Sequence, residues 1–324
     1  MPAYNASETI GETLSSVSAQ THRNFEVIVV DDGSTDDTIG AVRRHMQQDP
    51  RIRLLTQANA GVASARNHAL SVATGMYVAP VDADDLWRPN KLSSQLHAMK
   101  CSRFSLVYTW YAVIDEKSVV QSIQRPSHSG QVLRWLFQGN FIGHASSPLM
   151  RTEDVVRVGG YDPTLRDRGA QGCEDWKLYL KLGEIGQFAV IEAPLTGYRV
   201  TSRSMSGDIV RMLHSHRMVM SEFLGLYSDH HRDLRLGEQR ITKYYLKKAL
   251  SSSNHKAISN ELLRICRRNP VLALHLIRAV SRMVASRVQR FEDHEEVVDP
   301  IGTHFLSSSF MLDEKAQSRF YAVA

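Results

Sequence analysis

Three carboxylates, Asp82, Asp84 and Asp85, fall within four positions of the stretch "VDADDLWRPN", residues 81–90. They follow "YVAP", an apolar run that reads as a strand. Like charges crowded at a strand end repel unless something positive sits among them. Where the chain turns, two side chains that flank one residue can point at one small cation. Magnesium and manganese favour oxygen donors, and Mg2+ is typically held by one or two carboxylates together with substrate phosphates. Asp82 and Asp84 therefore suggest a divalent ion, Mg2+ or Mn2+, shared with a diphosphate. A lone triplet of this kind is weak evidence, and its place after a strand strengthens it. Two further acidic pairs stand out: Asp31–Asp32 after "VIVV", and Glu174–Asp175 opening "EDWKLYLKL". Each pair also suits the first turn of a helix, where the macrodipole favours acids, and both readings stay open at this point. The chain has no GxxxxGK[ST] and no GxGxxG, which disfavours a P-loop and the dinucleotide fingerprint.

The elements around these acids alternate. "SETIGETLSSVSAQ" places Ile10, Leu14 and Val17 at helical spacing behind Ser7. "FEVIVV" (25–30) is a continuous β-branched run suited to a strand buried on both faces. There follow a helix at "STDDTIGAVRRHMQQ", a strand at 52–56 and a helix at "NAGVASARNHALSVA". Next come a strand at "MYVAPV", a helix at "PNKLSSQLHAMK" with Pro89 near its first turn, and a strand at 105–114. This order predicts an α/β fold: a Rossmann-like, mostly parallel sheet flanked by helices. In such sheets ligands bind beyond the carboxyl ends of the strands, where Asp31–Asp32 and the 82–85 cluster lie. "MPAYNA" opens directly on what reads as a post-strand loop. The first strand is therefore expected to be truncated, with a translation start upstream of Met1.

Bulk properties narrow the class. The 324 residues suffice for one sizeable α/β domain plus an appended region. Hydrophobic residues make 43% and charged residues 23%, as in a folded soluble protein. No stretch approaches the roughly 18 apolar residues of a membrane span. Cys101, Cys173 and Cys266 are too scattered for zinc or a disulfide framework, so a cytoplasmic location is expected. The net charge of +5 is uneven: from Arg235 to Phe291 there are 13 Lys and Arg against two Glu. Such a segment suits an anionic surface, and equally a solvated helical face or packing on the main domain. The pattern turns helical and basic from about 205, dividing the chain into 1–204, a helical region 205–299 and a tail 300–324.

Four stretches together resemble the family 2 glycosyltransferases, which have the GT-A fold: "PAYNASETIGETLSSVSAQTHRNFEVIVVDDGSTDDT", "NAGVASARNHAL", "DADDLWRPNKL" and "GCEDWKLYLKL". The resemblance covers roughly the first 200 residues. It implies inverting transfer of a sugar from a nucleotide-diphospho-sugar donor to a hydroxyl acceptor, assisted by Mg2+ or Mn2+, in bacterial surface polysaccharide or glycolipid synthesis. It places Pro2, Tyr4, Asp32 and Arg66 on the donor nucleotide and Asp84 on the metal. Asp82 supports the metal or the ribose, and Asp175 is the catalytic base. Arg199, and with it Arg203, would face the leaving diphosphate, while His144, Glu174 and Trp176 would lie on the acceptor side. The bland alternatives are a packing role for Tyr4, a solvated Arg66 and a satisfied loop histidine at 144. The acceptor is expected to be a saccharide or lipid-linked saccharide. That gives 235–291 a peripheral contact with the inner face of the plasma membrane, and no nucleic-acid partner is expected. Two competitors remain: a non-catalytic nucleotide-sugar or glycan-binding module, and a GT-A-like nucleotidyltransferase.

Overall fold

The computed structural model describes residues 1–201, 204–250, 267 and 304–306. Its N-terminal half alternates as the periodicity predicts: β1 (Pro2–Ala3), α1 (Ile10–Ser18), β2 (Val27–Asp31), α2 (Thr38–Met46), β3 (Ile52–Thr56) and α3 (Val62–Val72). The three strands form a parallel sheet in the order β1-β2-β3. Successive side chains of β2 point to opposite faces. Val27 and Val29 pack with Ile10, Leu14 and Val17 of α1 and with Val42 of α2. Ile28 and Val30 pack instead with Ala65 of α3. That two-sided burial explains why "VIVV" carries no polar residue. β1 is short, and its edge is completed by the Met1 amine, which donates to the Ile28 carbonyl.

The second half builds a mixed sheet. It comprises β4 (Tyr77–Val78), β5 (Leu86–Trp87), β6 (Phe104–Ile114), β7 (Val120–Gln124), β8 (Leu149–Arg151) and β9 (Gln187–Arg199). The order is β4-β8-β6-β9-β5, with β7 hairpinned onto β6. β6 and β9 run parallel along most of their length, and the other pairings are antiparallel. Helix α4 (Lys91–Cys101) covers one face and α8 (Glu174–Ile185) the other, with short helices α5 (Leu133–Leu136), α6 (Thr152–Arg157) and α7 (Thr164–Asp167) between. β6 again alternates: Leu106 and Tyr108 enter the core that holds Trp176, while Val107 enters the core with Leu92 and Met99.

Two long helices follow, α9 (Ile209–Leu226) and α10 (His231–Leu250). Val219, Met220 and Phe223 of α9 and Leu234 of α10 share a core with Leu136, Phe137 and Trp176. The described start of the basic region therefore packs on the α/β unit. Most of 251–291, where the sequence places the rest of that region, lies outside the described residues. The tail, without a signal in the sequence, contributes a buried anchor. Phe305 packs on Leu86, Ala112, Ile114 and Val120, in space that a side chain at Gly197 would crowd. Among the described residues no helix is long and apolar enough to cross a membrane.

Candidate active site at the strand ends

The three crowded carboxylates have three different environments. Asp85 is fully buried: one oxygen accepts from the Ser146 hydroxyl at 2.5 Å, the other from the Arg199 backbone N–H at 2.9 Å. Asp82 accepts from the Arg66 guanidinium at 2.5 Å, and its own N–H donates to Ser146 at 2.9 Å. Asp84 has no ion pair among the described residues. Burial, then the neighbouring Asp85 and Asp82 charges, push its carboxyl up to about 8. The positive groups that the crowding demands are thus Arg66 and Arg199, and the described residues supply no ion-pair partner to Asp84. The donor set fits a small hard cation. Among the described residues no three His, Cys, Asp or Glu side chains converge on a metal position. A metal held here would take one or two carboxylates from the described residues, as suits a magnesium-like ion completed by phosphate and water.

Asp175 opens α8, entered through Cys173. Its oxygens accept from the Trp176 N–H at 2.7 Å and from the Asn140 amide at 3.2 Å. Burial raises its pKa, opposed by Arg66 and by the Trp176 N–H, while the Asp82 charge adds to the rise. Arg66 itself is buried, with Asp82, Tyr161 and Asp175 all within electrostatic reach of its guanidinium. Its Cζ lies 5.2 Å from the Tyr161 ring centroid, and its Nε has no hydrogen-bond partner. Arg66 therefore lies between Asp82, with which it pairs, and Asp175, which is within electrostatic reach. The approach of α3 to these acids is fixed by the next residue. Asn67 donates to the Tyr161 carbonyl at 2.7 Å and accepts from the Tyr161 N–H at 2.9 Å.

The other expected site residues divide. Tyr4 is 52% exposed just past β1, at the open ends of the parallel strands. Asp32 lies at the end of β2, but its carboxylate already accepts from Gln57 and from the N–H groups of Ala60 and Gly61, each at 2.8 Å. It ties down the entry to α3. The buried oxygen without a partner belongs to its neighbour Asp31. Pro2 is buried within β1 opposite Val30. Two expectations, for Trp176 and Arg199, need correction. Trp176 is fully buried and donates to the Leu136 carbonyl, which makes it core.

Arg199 is also corrected. It is 2% exposed, and every guanidinium nitrogen is engaged by protein: the carbonyls of Asp84, Asp115 and Glu116, the Glu12 carboxylate and the Ser118 hydroxyl. It braces the 82–85 turn from behind, leaving no donor for a diphosphate. Arg203 lies outside the described residues. Glu174 is buried, accepts from the Gly172 N–H at 2.9 Å and is raised to about 7 by burial, so it shapes the turn into α8. His144 is buried too, stacked on Tyr198 at 4.7 Å and within reach of Asp175.

Sequence reasoning missed Ser146, which clamps Asp82 and Asp85 together, and Asn140, which holds Asp175. Both lie in the glycine-rich 139–176 segment, whose polar residues give no periodic signal. It also missed Glu12, the partner of Arg199 at 2.7 Å from 187 positions away.

The α/β unit has the GT-A fold, which solved structures share. A mannosyltransferase from Pyrobaculum calidifontis, solved with GDP-Man and Mn2+, matches with a TM-score of 0.53 at 20% identity, over 91% of this chain and 86% of its own. The family model for glycosyl transferase family 2 matches residues 1–156. TuaG of Bacillus subtilis, named for teichuronic acid biosynthesis, is 40% identical over 210 residues, 64% of this chain and 80% of TuaG. The chain belongs to glycosyl transferase family 2. WfgD of Escherichia coli, a UDP-Glc:α-D-GlcNAc-diphosphoundecaprenol β-1,3-glucosyltransferase, is 42% identical over 127 residues, 39% of this chain and 49% of WfgD. The chain spans about half the length of the first curated relatives it matches.

Proposed function

We propose that this chain transfers a sugar, with inversion, from a nucleotide-diphospho-sugar to a hydroxyl of a saccharide or lipid-linked saccharide, in polysaccharide or glycolipid synthesis. One observation carries the reading. Arg66 pairs with Asp82, one of the strand-end carboxylates, and lies within electrostatic reach of Asp175, which supports bringing a metal-binding acid and a candidate base to one site. The named substrates of WfgD and the GDP-Man and Mn2+ of the Pyrobaculum enzyme support the donor and cofactor classes.

A sugar hydroxyl is a weak nucleophile, and a carboxylate that takes its proton as the new bond forms lowers the barrier. Asp175 does this here. Asn140 and the Trp176 N–H hold its carboxylate, and each oxygen keeps a lone pair for the incoming proton. The acceptor oxygen bonds to the anomeric carbon from the Asp175 side while the bond to the diphosphate breaks on the other. The electron pair leaves with the diphosphate, and the configuration inverts. Asp84, with Asp82, would hold a divalent ion, which when bound neutralises charge on the leaving group. Arg66 fixes Asp82, and Tyr4 offers its exposed ring to the nucleotide base. The segment 1–204 carries this chemistry, with its 139–176 part on the acceptor side.

The test is stereochemical. The enzyme incubated with Mn2+, UDP-glucose, UDP-N-acetylglucosamine or GDP-mannose and a panel of p-nitrophenyl glycosides should yield a disaccharide of inverted anomeric configuration by NMR. A product with retained configuration would exclude the single displacement. Placement at the cytoplasmic face of a membrane, with 235–291 on anionic headgroups, belongs to the same proposal. Co-sedimentation with anionic liposomes should be strong at low salt and fall as salt rises; no binding at low salt removes that contact.

A further inference from the structure

We propose that Tyr244 of α10 forms a stacking platform for the acceptor sugar of the Asp175 site. The C-terminal helices, outside the region matched by the family model, would then select the acceptor. The inference rests on the sugar-transfer reading above.

Its first support is how α10 docks. Asp233 accepts from Arg134 and Gln138, and Arg240 donates to Gln138 at 2.7 Å. Between them, a Cβ at Gly237 would collide with the Phe137 carbonyl oxygen and lie 3.0 Å from the Gln138 Cα. Glycine inside a helix costs about 1 kcal/mol relative to alanine, so its place here reflects a backbone approach that no other residue permits. Positions 233, 237 and 240 recur at helical spacing, and the next on that face is 244. Tyr244 is nevertheless 60% exposed. The docked face of α10 thus runs past the edge of the protein and overhangs with an aromatic ring.

Its second support is where the ring overhangs. From Trp176, which follows Asp175 in the chain and points into the core, ring contacts lead through His216 at 4.7 Å and Tyr245 at 5.6 Å to Tyr244 at 5.1 Å. Tyr245 lies within electrostatic reach of Asp175 and Tyr198, and Tyr244 of Tyr111. On the far side, Tyr111 meets His144 edge-on at 4.6 Å, and His144 stacks on Tyr198. The Nε2 of His144 is buried without a hydrogen-bond partner. Two aromatic groups therefore lie within electrostatic reach of Asp175: His144, which contacts Tyr111 of β6 and Tyr198 of β9, and Tyr245, which contacts His216 of α9 and Tyr244 of α10. Such rings offer an apolar face to sugar C–H groups and a hydroxyl to sugar oxygens. A saccharide laid on Tyr244 would present a hydroxyl towards the base.

Steady-state transfer by the full chain tests this, with the donors named above and p-nitrophenyl α- and β-glycosides of glucose and N-acetylglucosamine as acceptors. Tyr244→Ala should raise the acceptor KM about tenfold, more than it lowers kcat, and Tyr244→Phe should recover most of the loss. Gly237→Ala, which pushes α10 off α5, should raise the acceptor KM in the same way. The thermal shift induced by donor with Mn2+ should persist in all three. A wild-type acceptor KM in Tyr244→Ala overturns the platform and leaves sugar transfer standing. Donor hydrolysis by wild type with transfer to none of the glycosides overturns the platform as well. Absence of both hydrolysis and donor-induced shift removes the sugar-transfer reading itself.

Discussion

Asp175→Asn should lower kcat for sugar transfer by about 10²–10⁴-fold, the usual contribution of a positioned general base, while donor binding survives. The substitution is close to isosteric, and an amide oxygen can still accept from the Trp176 N–H. What disappears is the basic lone pair. The pH profile carries a second signature. Burial raises the Asp175 carboxyl above the ordinary carboxylate value, and Arg66 and the Trp176 N–H only partly oppose it. A base must be ionised to act, so activity should fall as pH drops through the raised pKa, at higher pH than a solvent-exposed aspartate would give. The variant should lack that acid limb in whatever residual rate remains. Full turnover by Asp175→Asn, at equal donor saturation, would remove the base assignment and leave the fold and the donor side untouched.

The difference between what could and could not be read from the chain is one of range. "VIVV" announces a strand covered on both faces because its own composition records both neighbours, α1 and α2 on one side and α3 on the other. The acids were legible as strand-end groups for the same local reason, and the crowding of Asp82, Asp84 and Asp85 was an electrostatic question visible in four residues. Its answer was not. Arg199 reads locally as an exposed arginine after a strand, yet it is fixed by Glu12, Asp84, Asp115, Glu116 and Ser118, which only the folded sheet assembles. Trp176 fails likewise: it adjoins the base in sequence, but helical geometry turns it into the core. Tyr244 is the reverse case, an exposed residue in an unremarkable basic helix whose docking depends on a glycine seven positions earlier.

Those three aspartates should also respond differently to removal of charge, and Asp84→Asn should show the largest effect on donor recognition. In the wild type, Mn2+ and a nucleotide-sugar together should raise the melting temperature, because ligands that bind only the native state stabilise it by mass action. Asp84→Asn should abolish the Mn2+-dependent part of that shift. The ion-free fold should not suffer. Asp84 stands in no ion pair among the described residues, and its carboxyl is held against ionisation by burial and by Asp85 and Asp82, so a neutral amide replaces a group already held neutral. Asp82→Asn should do the opposite to stability. It leaves Arg66 a buried cation without its partner, and breaking such a pair costs about 3–5 kcal/mol. Urea denaturation of the two variants, with and without Mn2+, separates the roles. A full Mn2+-dependent shift in Asp84→Asn would place the ion elsewhere. A fold weakened as much by Asp84→Asn as by Asp82→Asn would mean that Asp84 is a structural acid, leaving the repulsion at this strand end to be balanced by the two arginines alone.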